Sequence, residues 1–469
     1  MTVSPGELGC LLLSWPGWRS ILPRIMSEFD AIEQKMKQAG MSQASIDAFR
    51  HSVETVRSGE SGVLAEADIA PAEGVEDWET LIAETPEAPR ELIAQSVVIK
   101  LNGGLGTSMG LQKAKSLLPI QQGMTFLDLI VRQVKSLRER SGYPVRLLLM
   151  NSFSTSADTM AWLARYEADG LADPREVELF QNRVPKLLET DLQPAECPEN
   201  PDLEWCPPGH GDIYPSLLGS GWLDRLLAEG VKYAFVSNSD NLGAQLDLNF
   251  LNWFAKSGAP FAMEVTRRTE ADKKGGHLAT RVADGHLVLR EVAQCSEEDL
   301  PAFQNIEKHR YFNTNNLWVR LDALKDFLET HGGVMPLPVI RNVKTLDPRD
   351  SSTPKVYQLE VAMGAVIECF SGACAVCVPR SRFFPVKTTS DLLLLRSDAV
   401  EIDAEGKVAL AAACHGRAPV VSLDARYKFV DSLDALGVPS LKHATSLKVT
   451  GEHVFRPGEE LSGDVVVGA

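Results

Sequence analysis

Residues 96–116 read SVVIKLNGGLGTSMGLQKAKS. An apolar run of strand length, 96–101, opens straight into a glycine-rich turn that carries a lysine. Gly103, Gly104, Gly106 and Gly110 free the backbone for positive φ and expose its N–H groups. Lys115 adds a fixed positive charge beyond the turn. A strand that delivers such a turn is suited to holding a phosphorylated ligand against the main chain. Spacing excludes two familiar phosphate loops. In G-x-x-x-x-G-K-[ST] the lysine follows glycine directly, whereas Gly110 is followed by Leu111. In G-x-G-x-x-G the last glycine comes one position earlier than Gly110.

Outward from this stretch the pattern alternates. Strands are expected at 96–101, 145–150, 176–180, 232–237, 260–266, 316–320 and 373–378, and helices at 125–139, 156–167, 215–228, 247–257, 321–330, 355–368 and 388–397. Alternating β and α segments predict an α/β domain whose mainly parallel sheet is covered on both faces. Asp284-Gly285 within VADGHLVLREV marks a hairpin, so the sheet is expected to be mixed. Before it, 28–56 has helical periodicity, divided by Gly40, and 59–90 reads as a meandering linker. After about 400, short segments such as HATSLKVTG and LSGDVVVG predict a small β domain, with a short β-helix stack as one option. The divisions are therefore 1–25, 26–90, 91–400 and 401–469.

The chain has 469 residues, is 44% hydrophobic and 23% charged, and so suits a soluble protein of two or three domains. Its net charge of −16 argues against a nucleic-acid partner. A phosphate site on so acidic a chain needs local cations. Eight cysteines without paired secretory spacing read as reduced thiols and predict a cytoplasmic compartment. Cys374 and Cys377 form a CxxC, but no second pair completes a metal site, so they read as strand residues. No run of 18 apolar residues occurs, and no membrane span is expected. GCLLLSWPGW follows Glu7 rather than a basic residue, so the first 25 residues are expected to be an extension, with Met26 the natural start.

In open α/β sheets ligands sit at the carboxyl ends of the strands, where several polar loops fall. SNSDNLG at 237–243 offers Asn238 and Asp240, a lone carboxylate of the kind Mg²⁺ shares with phosphates. PPGHGD at 207–212 exposes the Gly209 N–H and the His210 ring, with Asp212 placed to cap the next helix. FFPVKTTSD at 383–391 sets Lys387 before a helix with N-cap candidates Thr388, Thr389 and Ser390. Arg380 and Arg382 are expected to add charge there. FNTNNLW at 312–318 presents amides, including Asn313 and Asn315, that suit sugar hydroxyls, and Glu291 can accept from hydroxyls too. No nucleophile–base pair is evident. Phosphoryl and nucleotidyl transfers need none, because positioning and charge stabilisation do most of the work.

These residues resemble the UTP–glucose-1-phosphate uridylyltransferases, or UDP-glucose pyrophosphorylases, of the eukaryotic type. The resemblance covers roughly 28–469 and rests on LNGGLGTSMG with its AKS lysine, MNSFST, FQNRVPK, PPGHGD, VSNSDNLGA, FNTNNLW and VPRSRFFPVKTTSDL. It implies a Rossmann-like catalytic domain with a mixed, mainly parallel sheet and a small C-terminal left-handed β-helix. It implies uridylyl transfer from UTP to glucose 1-phosphate with Mg²⁺ as cofactor, giving UDP-glucose and pyrophosphate. By motif, Leu101, Asn102, Gly103 and Gly104 would hold the uridine and phosphates, Gly103 and Gly104 also reaching the sugar phosphate. Gln181 and Gly209 would read the base and Met150 would line its pocket. Lys115 would contact UTP phosphates. His210 and Asn238 would contact the sugar phosphate and nucleotide, with Glu291, Asn313 and Asn315 on the sugar side. Asp240 would bind the metal, and Lys387 would stabilise charge at the α-phosphorus. Many members have GPK where this chain has Lys113-Ala114-Lys115. A relative with broader sugar choice, a non-catalytic nucleotide-sugar sensor and an oligomer all stay open.

Overall fold

In the computed structural model the described residues are 29–60, 62–84 and 88–468. The expected extension over 1–25 and the start at Met26 lie outside them. The strands of the central sheet are β1 Ser96–Leu101, β2 Arg146–Asn151, β3 Glu178–Phe180, β4 Tyr233–Asn238, β5 Phe261–Arg267, β6 Tyr311–Arg320 and β7 Cys374–Cys377. They lie in the order β7-β5-β6-β4-β1-β2-β3 within an 11-stranded sheet. Neighbours pair in parallel except β6, which runs antiparallel to both β5 and β4. The sheet is therefore mixed and largely parallel, as the alternating pattern requires.

Both faces are buried. Val97, Ile99, Leu148 and Met150 point into one apolar cluster, and Val98, Leu147, Leu149 and Phe235 into another. Near-continuous apolar strands are the signature of a sheet covered twice. The helices Phe126–Ser141, capped by a Thr125–Asp128 box, and Leu248–Ser257, capped by Asp247, cover one face, and Trp222–Ala228 and Leu321–Thr330 cover the other. Every parallel strand then ends at the same edge, which gathers the loops after β1, β2, β4 and β7. Because β6 is reversed, its first residues, not its last, reach that edge.

Two expectations change. Residues 355–368 are not a helix: Lys355–Val361 is a strand paired antiparallel with Val339–Thr345, followed by a short 3-10 turn, Met363–Glu368. Its most buried residues, Val356 and Leu359, are three apart, a spacing that imitates a helical face. The 59–90 segment contributes the short strands Ile69–Pro71 and Glu76–Asp77 to the sheet and a helix, Trp78–Glu84. The hairpin is present at His277–Arg281 and Leu287–Arg290, with Gly285 at φ +76°.

The residues at 29–38 and Gln43–Arg57 are helical and pack Phe29, Ile32, Phe49 and Val53 against Val184, Leu187 and Val339. At the other end, β8 Val420–Ser422, β9 Ser440–Val449 and β10 Glu460–Val467 form a three-stranded parallel sheet. Its core is continuous with Met109, Leu118, Leu242 and Val386 from the loops at the carboxyl edge of the central sheet. No helix among the described residues is long and apolar enough to cross a membrane.

Candidate active site

The loop after β1 is held from both sides. The Asn102 N–H donates to the Met150 carbonyl at 2.8 Å, extending the β1–β2 ladder past the strand. The Asn102 side chain is buried, donating to Asn151 Oδ1 at 2.7 Å and Thr159 Oγ1 at 2.9 Å. It anchors the loop and does not line the cleft. The glycines act differently from expectation. Of those four, only Gly110 lies in the left-handed region, at φ +80°, where its Cα packs on the Phe429 ring. Gly103 is required by close approach: a Cβ there would sit 2.5 Å from Gln181 Oε1.

This loop walls a cleft of about 300 Å³ that also takes in Met150, Gln181, Gly209, His210 and Asn238. At its centre is Asp240, just past β4. Lys115 Nζ lies 2.8 Å from Asp240 Oδ2, and Lys387 Nζ lies 3.1 and 2.9 Å from its two oxygens. Burial pushes the Asp240 carboxyl up, but the Lys387 and Lys115 charges outweigh it and hold the group below its ordinary value. Asp240 is thus an anion clasped by two cations from distant segments. Lys387 is positioned by the helix Thr389–Arg396, whose Thr388–Asp391 capping box also takes the Lys387 N–H on Asp391 Oδ2 at 2.9 Å. A lone carboxylate with two lysines beside it fits Mg²⁺, an ion that keeps most of its waters and takes one or two protein carboxylates. Among the described residues, no group of three or more His, Cys, Asp or Glu side chains could hold a metal ion alone.

The far end of the cleft is built around Gln181, Gly209 and His210. Gln181 Nε2 donates to the Gly209 carbonyl at 3.0 Å, joining the loops after β3 and around PPGHGD. Gly209 has φ +83° and rests on Val361, leaving no room for a side chain. His210 Nδ1 accepts from the Met363 N–H at 2.9 Å. Burial and the nearby Lys387 charge push its pKa down to about 4, so the ring is neutral at pH 7. With Nδ1 accepting, the proton resides on Nε2, and the ring is a donor there. Asp212 does not cap the following helix with its side chain. Instead it accepts from the Asn182 N–H at 2.7 Å and from Ser216 Oγ at 2.8 Å, and burial raises its pKa to about 7.

Glu291, Asn313 and Asn315 stand together beyond His210. Asn313 Nδ2 donates to Asn315 Oδ1 at 3.0 Å, and the Asn315 N–H returns to Asn313 Oδ1 at 2.9 Å. Asn315 has φ +58° at a bulge where Glu264 pairs with Asn316 and Val265 with Asn313. Bulges of this kind re-aim side chains at functional edges. Burial raises the Glu291 carboxyl, partly offset by a hydrogen bond from Asn313. A Cβ on Gly364 would lie 3.1 Å from Asn313 Nδ2, and its neighbour Met363 is bonded to His210. These amides therefore adjoin the cleft without belonging to its central wall.

A family model described as UTP–glucose-1-phosphate uridylyltransferase matches residues 46–461. The chain belongs to the UTP–glucose-1-phosphate uridylyltransferase family. It is accordingly an enzyme of the nucleotidyltransferase class. The UTP–glucose-1-phosphate uridylyltransferase of Solanum tuberosum is 43% identical over 395 residues, 83% of this chain and 80% of its own. That of Saccharomyces cerevisiae is 42% identical over 390 residues, 82% and 76% of the two chains. The crystal structure of a Leishmania major UDP-glucose pyrophosphorylase mutant in complex with UDP-glucose superposes with a TM-score of 0.88 at 46% identity, covering 94% of each chain.

Some features of this uridylyltransferase-family cleft escaped the sequence. Pro207, Ser239 and Glu360 also line it. Pro207 and Ser239 sit inside motifs already singled out, whereas Glu360 was hidden by the helical reading of 355–368. The two arginines expected to add charge do not. Arg380 is paired with Asp272 at 2.7 Å, and Arg382 with Glu264 at 2.5 Å. Cys374 and Cys377 lie in β7, where burial raises both thiols.

Proposed function

We propose that the chain transfers a uridylyl group from UTP to glucose 1-phosphate, releasing pyrophosphate and forming UDP-glucose. The observation that carries this reading is the convergence of Lys115 and Lys387 on Asp240, beside a pocket walled by Met150, Gln181 and Gly209. The pocket suits a planar base, and the amide of Gln181 and the backbone of Gly209 suit its edge. Leu101, Gly103 and Gly104 cradle the ribose and phosphates, with Asn102 anchoring them from behind. A phosphate oxygen of glucose 1-phosphate attacks the UTP α-phosphorus. The new P–O bond forms as the bond to the β-phosphate oxygen breaks, and pyrophosphate departs with that electron pair.

Lys387 neutralises charge at the α-phosphorus and Lys115 charge on the leaving phosphates. His210 Nε2–H and the Asn238 amide donate to the sugar phosphate and nucleotide. Glu291, Asn313 and Asn315 hold the sugar hydroxyls. Asp240 would hold Mg²⁺, which when bound would supply charge neutralisation at phosphate oxygens. The domain layout in this reading is a helical segment to about 90, a catalytic unit to about 400, and a C-terminal unit whose parallel strands begin a left-handed β-helix. The compartment is the cytoplasm.

A coupled pyrophosphate-release assay across sugar 1-phosphates, with and without Mg²⁺, tests this. Turnover is expected with UTP and glucose 1-phosphate in the presence of Mg²⁺. Tight UDP-glucose binding without turnover would refute the enzyme reading, and equal turnover with galactose or N-acetylhexosamine 1-phosphate would refute the sugar assignment.

A further inference from the structure

Beneath the Asp240 loop lies a cluster of buried charge that touches no part of the cleft. Glu264, in the middle of β5, is fully buried, and each of its carboxylate oxygens is used twice. Oε1 accepts from Trp318 Nε1 at 2.9 Å and Arg382 Nη2 at 2.5 Å. Oε2 accepts from Arg382 Nε at 2.8 Å and Asn316 Nδ2 at 3.0 Å. Removing one partner of such a buried pair leaves charge uncompensated, so the arrangement is demanding.

Its other contacts all lead to one place. Asn316 Oδ1 accepts from Asn241 Nδ2 at 3.0 Å, and Asn241 Oδ1 accepts from the Phe384 N–H at 2.8 Å. The Asp240 carbonyl accepts from the Val386 N–H at 3.0 Å, and the Leu242 N–H donates to the Phe384 carbonyl at 3.2 Å. Residues 240–242 and 384–386 are thus zipped together, and Asp240 and Lys387 lie at one end of the zipper. Slack is absent here: a Cβ on Gly243 would meet the Ser381 carbonyl at 2.5 Å. Arg382 Nη2 also donates to the Gln245 carbonyl at 3.0 Å. Lys100, whose ammonium is pushed down to about 7 by burial and by Arg382, donates to Ser237 Oγ at 2.8 Å and the Ala244 carbonyl at 2.6 Å. Buried cations hold both ends of the Asp240 loop, and Glu264 is the anion between them.

We propose that Glu264 is a positioning residue for the transfer reaction: through Arg382, Asn316 and Asn241 it sets Lys387 against Asp240. This rests on the functional reading above, in which those two groups meet the phosphates. A residue that only held the fold would affect stability. A positioning residue affects kcat without a matching change in KM, and it alters the environment of the Lys387 ammonium.

The test is Glu264→Gln in the full-length enzyme, with near-ultraviolet circular dichroism as the check on folding. A misplacement near 1 Å costs roughly 10²-fold in rate, so kcat is expected to fall about 100-fold while KM for glucose 1-phosphate stays within about threefold. Acetylation of Lys387 by acetic anhydride, read by mass spectrometry, is expected to quicken severalfold as the lysine leaves Asp240. Should Glu264→Gln not fold, Asn241→Ser cuts the side-chain links of the same zipper, to Asn316 and to the Phe384 N–H, without uncovering a buried charge and is expected to show both effects. In a folded variant, either a normal kcat or an unchanged labelling rate overturns the positioning role. If wild-type enzyme showed no uridylyl transfer, the functional reading would fall instead, and the labelling rate alone would decide the role of Glu264.

Discussion

Replacing Gly103 by alanine probes how the cleft distinguishes the base end from the phosphate end. The new methyl would lie 2.5 Å from Gln181 Oε1. That is about 1 Å inside ordinary van der Waals separation. The β1 end is tied down through Asn102, so Gln181 is the group that gives way. Its Nε2 now donates to the Gly209 carbonyl at 3.0 Å, and a retreat of that size breaks the bond. An unpaired buried amide costs about 1–3 kcal/mol, and each ~1.4 kcal/mol is a factor of ten. UMP, which carries the base but not the β and γ phosphates, is therefore expected to bind about 10- to 100-fold more weakly. Pyrophosphate affinity should hardly change.

Gly104→Ala is the matched control. Nothing lies within 4 Å of a Cβ at Gly104, so the free protein should keep its Tm, whereas Gly103→Ala should lower it. Isothermal titration with UMP and with pyrophosphate, beside thermal melts of both variants, separates the effects. A Gly103→Ala enzyme that binds UMP within twofold of wild type would refute the argument, because Gln181 could not then be both displaced and required.

Lys387→Ala should fold normally, since the side chain is 55% exposed, and should lower kcat about 10²- to 10³-fold in the pyrophosphate-release assay. Normal turnover would remove Lys387 from the chemistry. Asp240→Asn should lower kcat and move the Mg²⁺ activation curve to higher concentration, and an unshifted curve would exclude Asp240 as the metal ligand. His210 is pushed down to about 4 from an ordinary value of 6.5, so between those values the unfolded chain takes up a proton that the folded ring refuses. Stability should therefore fall as pH drops from about 6.5 to about 4, by at most ~3 kcal/mol, and then level off. Denaturant melts of wild type and His210→Gln across that range check this, the variant being expected to lose less.

Much of this was legible in the sequence because the chemistry sits in short loops with few charges. Lys115, Asp240 and Lys387 are far apart in the chain, yet Asp240 closely follows a strand and Lys387 precedes a helix that apolar pattern reveals, while Lys115 lies in the glycine-rich loop after another strand. Parallel topology then brings them to one edge. Other features depend on tertiary pairing that no local pattern encodes. Val356 and Leu359 imitate a helical spacing because they lie on opposite faces of their strand and bury in separate apolar clusters, and Glu360 was lost with that misreading. Arg382 looked like a free cation because its partner, Glu264, lies 118 positions away. Gly103, Gly104 and Gly106 looked like turn glycines, while the reason for Gly103 is a side chain from the loop after β3.

The pairing of Lys115 and Lys387 on one carboxylate bears on how a chain with a net charge of −16 can receive a triphosphate. Two unpaired lysines converging in a partly buried cleft would repel each other and lose their geometry. Asp240 removes that cost in the free protein and keeps both ammonium groups close. In the proposed complex, phosphate oxygens would take over part of its role, and the carboxylate, relieved of the lysines, would be free to hold a divalent cation. The same exchange would run backwards when pyrophosphate leaves. On this view Asp240 serves in both states, as counterion in the free enzyme and as metal ligand in the complex. Asp240→Asn should then do more than weaken the metal. Two facing cations would lack an anion, and the free variant should take one from solution, binding inorganic pyrophosphate more tightly than wild type in the absence of Mg²⁺. Isothermal titration of pyrophosphate into both free enzymes measures that difference directly. Equal pyrophosphate affinity in Asp240→Asn and wild type would mean that the lysines do not need the carboxylate, and the exchange argument would fail.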